Sequence, residues 1–436
     1  MGIQYKDSGI EWIGKIPVEW SVCKIKNLCS NIYSGGTPDS NNLLYWDGDI
    51  PWIPSGSCHD SIIYEAPKFI TQLGYENSST KLIPANTTVM AMTGATCGNV
   101  GFVTFETCMN QSVTGYITKD DSYSKFLFYC LLAAREDILT HKTGGAQSGI
   151  NGEDCKNIAV PFIPKIIQQR IADYLDEKCG EIDSLVGLQE QMIEKLKDYK
   201  QSVITEAVTK GLNPNANLVP SGITFIGDVP EKWEIVPLRY LGRTQNGISK
   251  SGDYFGEGEP FVSYSDVYKN YSLPSNITGL AKSTKQDQVL FSVEEGDVFF
   301  TRTSETIDEI GFSSVCLSTI NKAVFAGFLI RFRPYKNRLN KNFSKYYFRS
   351  SIHRAYFVKE MNLVTRASLS QELLKSMPVL LPPLGEQQAI ASYLDEKCAD
   401  IDRLIGVKQQ KIEKLKDYKK SVIYEAVTGK ACVNFS

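Results

Sequence analysis

The sequence predicts an α+β protein built twice: two globular α/β domains separated by two long antiparallel coiled-coil helices, the halves forming a pseudo-two-fold internal repeat. Three observations carry this. Residues 171–209 and 390–428 are identical at 28 of 39 positions, at a constant offset of 219. Both stretches lack proline and keep a heptad-like spacing. Between them the chain diverges, while short framing segments recur.

The long stretches read as helices of about 58 Å at ~1.5 Å per residue. Their seam steps by alternating threes and fours, through Ala172, Leu175, Cys179, Ile182, Val186, Gln189, Ile193, Leu196, Lys200, Val203 and Ala207. The second copy matches from Ala391 to Ala426. A mean step of 3.5 residues marks a coiled coil. The nearest cover for each seam is the other copy. Gln189/Lys408 and Lys200/Lys419 place polar groups on the seams, which weakens pairing but fixes register. Cys179 and Cys398 fall on the seams as buried structural thiols.

The frames are SGIEWIGKIPVEW (8–20) and SGITFIGDVPEKW (221–233). Proline-rich stretches, VPFIPKIIQQ (160–169) and MPVLLPPLGEQQ (377–388), mark where each long helix begins. Between these lie two regions rich in Gly, Tyr, Phe and Thr. NTTVMAM and GDVFFTRT read as strands. SKFLFYCLLAAREDIL (124–139) and FSKYYFRSSIHRAYFVKE (343–360) each read as one helix. The predicted boundaries are 1–164 for the first globular domain, 165–212 for the central helix, 213–384 for the second domain, and 385–436 for the distal helix and tail.

With 436 residues, 42% hydrophobic and 22% charged, the chain has room for two or three cores. No apolar run reaches the ~18 residues of a membrane span, and the N-terminus lacks a secretory pattern, so the cytoplasm is the expected location. Eleven scattered cysteines without a CxxC pair suit a reducing compartment. His59, His141 and His353 are far apart, which argues against zinc, and CHD (58–60) reads as a surface loop. No GxxxxGK[ST] loop, GxGxxG fingerprint, GxSxG elbow or HExxH pair occurs, nor the Pro-Pro-aromatic tetrapeptide of adenine methyltransferases. The DEK within YLDEKC lies on a helix, the wrong setting for a metal-dependent nuclease. No catalytic residue and no metal ligand is assigned.

Pseudo-two-fold symmetry with unlike globular domains suits duplex DNA carrying two different half-sites, with the helices as the ruler between them. The net charge is only −2, yet residues 331–366 hold ten Lys/Arg and one acid, interleaved with Tyr and Phe. Loops rich in Gly and in hydroxyl or amide residues, at 34–42, 93–99, 143–151, 245–255, 301–309 and 364–370, are candidates for base reading. The residues chosen for DNA contact are Thr37, Asn99, Lys142, Gln147, Lys250, Arg302, Lys345, Arg349 and Arg366, because Arg suits guanine edges and Asn or Gln suits adenine.

These features together resemble the specificity subunits of type I restriction–modification enzymes. The resemblance is carried by the frame SGIEWIGKIPVEW, the GGTP at 35–38, the run P-L-x-E-Q-Q-x-I-A-x-Y-L-D at 383–395 and the doubled helix. It spans nearly the whole chain. It implies two target recognition domains, each reading half of an asymmetric bipartite site in double-stranded DNA. It implies two modification (methyltransferase) subunits and two restriction (motor-nuclease) subunits as partners, and no membrane. S-adenosylmethionine and ATP with Mg are expected in those partners, and no cofactor in this chain. Docking of the modification subunits transfers to Asp176, Glu177, Lys195, Lys197, Asp198 and Tyr199, and to Asp395, Glu396, Lys414, Lys416, Asp417 and Tyr418. One departure is KIIQQ (165–169), which lacks the acid found at Glu386 and predicts a less firm helix start. A stand-alone DNA-binding repressor or architectural protein, a scaffold with lectin-like ends and a cryptic nuclease remain as rival readings.

Overall fold

The long helices span Lys165–Lys210 and Leu384–Val427. They belong to a computed structural model that describes residues 4–143, 148–304, 310–360 and 367–431. The chain divides into two compact units, residues 1–190 with 409–436 and residues 191–408, so each long helix is shared between them. In the first unit Lys419 Nζ grips both Asp183 carboxylate oxygens at 2.8 and 2.7 Å. Residues preceding Asp183 (Ile171, Ala172, Leu175, Cys179) share a core with residues following Lys419 (Val422, Ile423, Ala426, Val427). The segments therefore run antiparallel. The second unit repeats the pattern. Lys200 grips Asp402 at 2.8 and 2.7 Å, and Ile204, Ala207 and Val208 share a core with Ile390, Ala391, Leu394 and Cys398. The lysines that interrupt the apolar seam are thus its register pins, each matched to one aspartate. Cys179 and Cys398 are buried, and burial raises both thiol pKa values, Cys179 to about 11.

Each globular head repeats one plan. In the first unit five strands pair in the order Cys29–Ser34, Val113–Thr118, Thr87–Ala91, Val100–Val103, Ser61–Ile63. The second keeps four of them: Gly242–Asn246, Leu329–Pro334, Val298–Thr301, Ser313–Val315. A smaller sheet centres on Trp46–Ile53, with Cys108–Met109 parallel and Lys68–Ile70 antiparallel. Its counterpart centres on Phe255–Val262, with Val324–Phe325 parallel and Leu280–Ala281 antiparallel. The runs predicted as single helices are broken in both heads, into Ser124–Ala133 and Arg135–Thr140, and into Lys341–Tyr347 and Ser351–Glu360. In the second head the break is a tight turn. Arg349 and Ser350 donate backbone bonds only three residues back, to Tyr346 and Tyr347. CHD is only partly a surface loop, since Cys58 is buried.

The head is tied to the long helix by matching side chains. Gln168 and Gln387 are both 1% exposed. Gln168 donates to the Ile163 carbonyl at 2.8 Å and accepts from the Tyr123 N–H at 2.8 Å. Gln387 donates to the Pro382 carbonyl at 2.9 Å and accepts from the Asn340 N–H at 2.8 Å. Each glutamine thus joins the end of the preceding strand to the start of the head helix. About two turns further on, Asp176 accepts from the Tyr129 hydroxyl at 2.7 Å and pairs with Lys125. Asp395 accepts from the Tyr346 hydroxyl at 2.7 Å and pairs with Lys345 at 2.6 Å. Burial and the adjacent carboxylate push both tyrosine pKa values up. The two helices start alike. Backbone N–H groups of residues 167 and 168 bond Pro164, as those of 386 and 387 bond Pro383. The missing acid therefore does not loosen the first start. Glu386 instead accepts from the Trp233 indole at 3.0 Å.

Replacing either glutamine by alanine leaves a buried donor-seeking carbonyl and a buried N–H without partners. Gln168→Ala and Gln387→Ala are each expected to cost about 1–3 kcal/mol per orphaned group, read as a lower urea midpoint, whereas Lys195→Ala on the exposed helix face leaves the midpoint unchanged.

His353 lies fully buried against the Tyr347 ring, and burial holds its pKa down to about 3. The fold keeps it neutral, while the unfolded chain takes up a proton below its ordinary 6.5. Its contribution is complete above that pH and is lost as pH falls, by up to about 1.4 kcal/mol per unit. The His353→Phe variant is expected to show a flatter acid limb in urea midpoints measured between pH 6.5 and 4.

Candidate nucleic-acid interface

The predicted reading loops meet at one corner of each head, and the backbone builds that corner identically in both. In the first unit Gly35 N–H bonds Val113 at 3.0 Å and Gly36 N–H bonds Met109 at 2.8 Å. Met92 N–H bonds Ser112, and Ile150 N–H bonds Met92, both at 2.8 Å. In the second unit Gly247 bonds Leu329 at 3.3 Å, Ile248 bonds Phe325 at 2.9 Å, Arg302 bonds Phe328 at 2.9 Å and Leu369 bonds Arg302 at 2.7 Å. By these bonds Gly35, Gly36, Met92 and Ile150 correspond to Gly247, Ile248, Arg302 and Leu369. Only glycine fits at the centre. A Cβ on Gly35 would lie 2.1 Å from the Met109 carbonyl oxygen, and one on Gly247 would lie 2.1 Å from that of Ala326.

What the corner displays differs between heads. In the first, exposed Thr37 donates its hydroxyl to Gln111, beside Asn110 and Ser112. In the second the matching positions are Ser249, Lys250, Ala326, Gly327 and exposed Phe328, with Arg302 where the first head has buried Met92. Among the described residues the Arg302 guanidinium has no hydrogen-bond or ion-pair partner, and exposed Lys250 lies 5.9 Å from the Tyr254 ring. Lys142 is exposed beside the same corner of the first head. Gln147 and Arg366 lie outside the described residues. Gln111 and Phe328 were missed from sequence. Only the superposed backbone bonds expose their equivalence to the neighbours of Thr37 and Lys250.

Three of the chosen DNA residues have work inside the fold. Asn99 donates to the Cys58 carbonyl at 3.0 Å and accepts from Arg135 at 2.8 Å. Arg349 donates to the carbonyls of Val267, Asn270, Ser313 and Tyr268 at 3.0 to 2.5 Å, and stacks on Tyr271 and Phe312. Lys345 is paired with Asp395. Several described cations of the basic run 331–366 are likewise paired within the fold. Arg333 pairs with buried Asp297 and with Glu294, Arg331 bonds Ser292 and Gln245, Arg338 pairs with Glu234, and Lys341 with Glu295. Charge counting along sequence cannot distinguish such pairs from free cations.

Of the docking residues, Asp176 and Asp395 also turn inward, as head clamps. Glu177, Lys195, Lys197, Asp198, Glu396, Lys414, Lys416 and Asp417 are exposed. Tyr199 and Tyr418 are exposed too, although aromatic. The register pins put Tyr418 level with exposed Leu185 and Leu188 in the first unit, and Tyr199 level with exposed Leu404 and Val407 in the second. Among the described residues no group of His, Cys, Asp and Glu is arranged to hold a metal ion, and no helix is long and apolar enough to cross a membrane.

A family model described as the type I restriction modification DNA specificity domain matches residues 17–198 and 230–417. The chain is 23% identical over 424 residues to the type I restriction enzyme MjaVIII specificity subunit of Methanocaldococcus jannaschii, covering 95% of this chain and 94% of that one. It is 22% identical over 435 residues to the EcoKI specificity subunit of Escherichia coli K12, covering 95% and 90%. The matched stretch spans as little as 62% of another M. jannaschii relative. A solved chain from work on assembly and conformational transition of the type I R-M system shares the fold, with a TM-score of 0.70 at 17% identity, over 95% of this chain and 99% of that one. The two matched stretches make up most of the sequence, and the chain belongs to the type I restriction–modification DNA specificity family.

Proposed function

We propose that the chain is the non-catalytic, DNA-recognising subunit of a type I restriction–modification complex, with each head reading one half of an asymmetric bipartite site. The observation that carries this is the shared corner. Main-chain bonds hold it in the same form in both heads, while the side chains it presents are polar in one and apolar with free cations in the other. That is the arrangement expected of two readers of different half-sites on one scaffold. The contacts that fit best are Thr37, Gln111 and Lys142 in the first head and Lys250, Arg302 and Phe328 in the second. The paired helices set the distance between half-sites. S-adenosylmethionine and ATP with Mg belong to partner subunits, and the complex works in the cytoplasm. No observation favours a stand-alone repressor.

Exchanging residues 21–160 for those of a family member with known specificity is expected to change one half-site and leave the other intact, read by methylome sequencing. A change in both halves together would refute two independent readers.

The methyltransferase subunits dock on the exposed apolar patches of the helix pair, Leu185, Leu188 and Tyr418 in the first unit and Leu404, Val407 and Tyr199 in the second, ringed by Lys195, Glu177, Lys414 and Glu396. Buried aromatic anchors dominate such interfaces. Tyr418→Glu is expected to lower the bound methyltransferase from two copies to one in native mass spectrometry, and Tyr199→Glu with Tyr418→Glu to abolish binding. Two copies retained in the double variant would place docking elsewhere.

A further inference from the structure

The corner of the second head opens into a cavity of about 320 Å³. Its walls are Ile248, Phe255, Phe261, Tyr264, Ala326 and Phe328, with Ser249, Lys250 and Ser263 completing the lining. Gly327 lies in its wall, packed tightly against the Ser249 side chain and the Ile248 backbone. A Cβ there would meet the Ser249 hydroxyl oxygen at 2.2 Å and the Ile248 carbonyl oxygen at 2.9 Å. The equivalent residue of the first head is Gln111, whose amide accepts from Thr37. Phe328, which forms one wall, is exposed, although it stands at the junction of three backbone-linked loops. Among the described residues none buries that ring, which stays 63% exposed.

The major groove of DNA offers hydrogen-bonding groups at every base pair but only one apolar group, the C5-methyl of thymine. An apolar cavity lined by the cation Lys250, in a corner where the Arg302 guanidinium is unpaired among the described residues, fits a nucleic-acid edge in which an apolar group stands among acceptors and phosphates. We infer that this cavity is the subsite for the C5-methyl and adjoining ring edge of a thymine in the half-site read by the second head. The inference rests on the DNA-reading function proposed above. It goes further, in that it fixes one base of a half-site and assigns its recognition to Phe328, Tyr264 and the space above Gly327.

The test uses the full chain assembled with its methyltransferase subunits and duplexes carrying the sequence found by methylome sequencing. Each thymine is replaced singly by deoxyuridine, which lacks only the methyl group, and binding is followed by fluorescence anisotropy. One thymine, in one half-site, is expected to lose about fourfold in affinity, the worth of one buried methyl. In Phe328→Ser that penalty is expected to vanish while the other half-site is read as before. Specific binding with no thymine sensitive to its methyl group would overturn the subsite and leave the two-reader function standing, as would a penalty unchanged in Phe328→Ser. Failure to bind any duplex sequence-specifically would overturn both. The deoxyuridine series uses the unaltered protein, so it decides the question even if the variant folds poorly.

Discussion

The structure depends on how a globular head is fixed to a helix. A buried amide at Gln168 or Gln387 holds a strand end and a helix start at once, and a half-exposed carboxylate at Asp176 or Asp395 holds a lysine and a tyrosine of the head helix. Partly exposed ion pairs and hydrogen bonds of this kind are individually modest. Together they fix two points on one helix against two points on the head. A single point would allow the head to pivot. Two points separated by more than a turn do not, so the position of a head along its helix becomes a fixed quantity.

Both clamps are built from matching residues at the 219 offset on the long helices, yet the tyrosines they engage are not equivalent. Tyr129 lies four residues beyond Lys125, while Tyr346 is adjacent to Lys345. The helix kept its side of the contact, and the heads reached it from different positions. The arginines show the same convergence. Arg135 and Arg349 both brace the loop beside the second sheet strand, one through Asn99 and Asp60, the other through four carbonyls and the Phe312 ring.

The doubled helix, its seam, its register lysines and the framing repeats were legible from the sequence because periodicity and repetition are one-dimensional signals. Lys200 and Lys419 were read as register devices, and their aspartate partners complete that reading. The roles of Asp176, Asp395, Asn99, Lys345 and Arg349 were not legible, because exposed charge and internal charge look the same in a string of letters. The break after Ala133 was invisible too, since nothing local stops a helix there. The equivalence of Gln111 and Gly327 could not be seen because the heads share almost no letters at the corner. It exists only in which N–H meets which carbonyl.

A corner assembled from main-chain bonds and two crowded glycines has an evolutionary consequence. The groups that hold it in shape are common to every residue type, so the displayed side chains can drift without unfolding their support. Mutational cost is concentrated at Gly35 and Gly247 and nearly absent at Thr37, Gln111, Lys250 and Phe328. New specificities are therefore reachable by single, stability-neutral steps in either head alone.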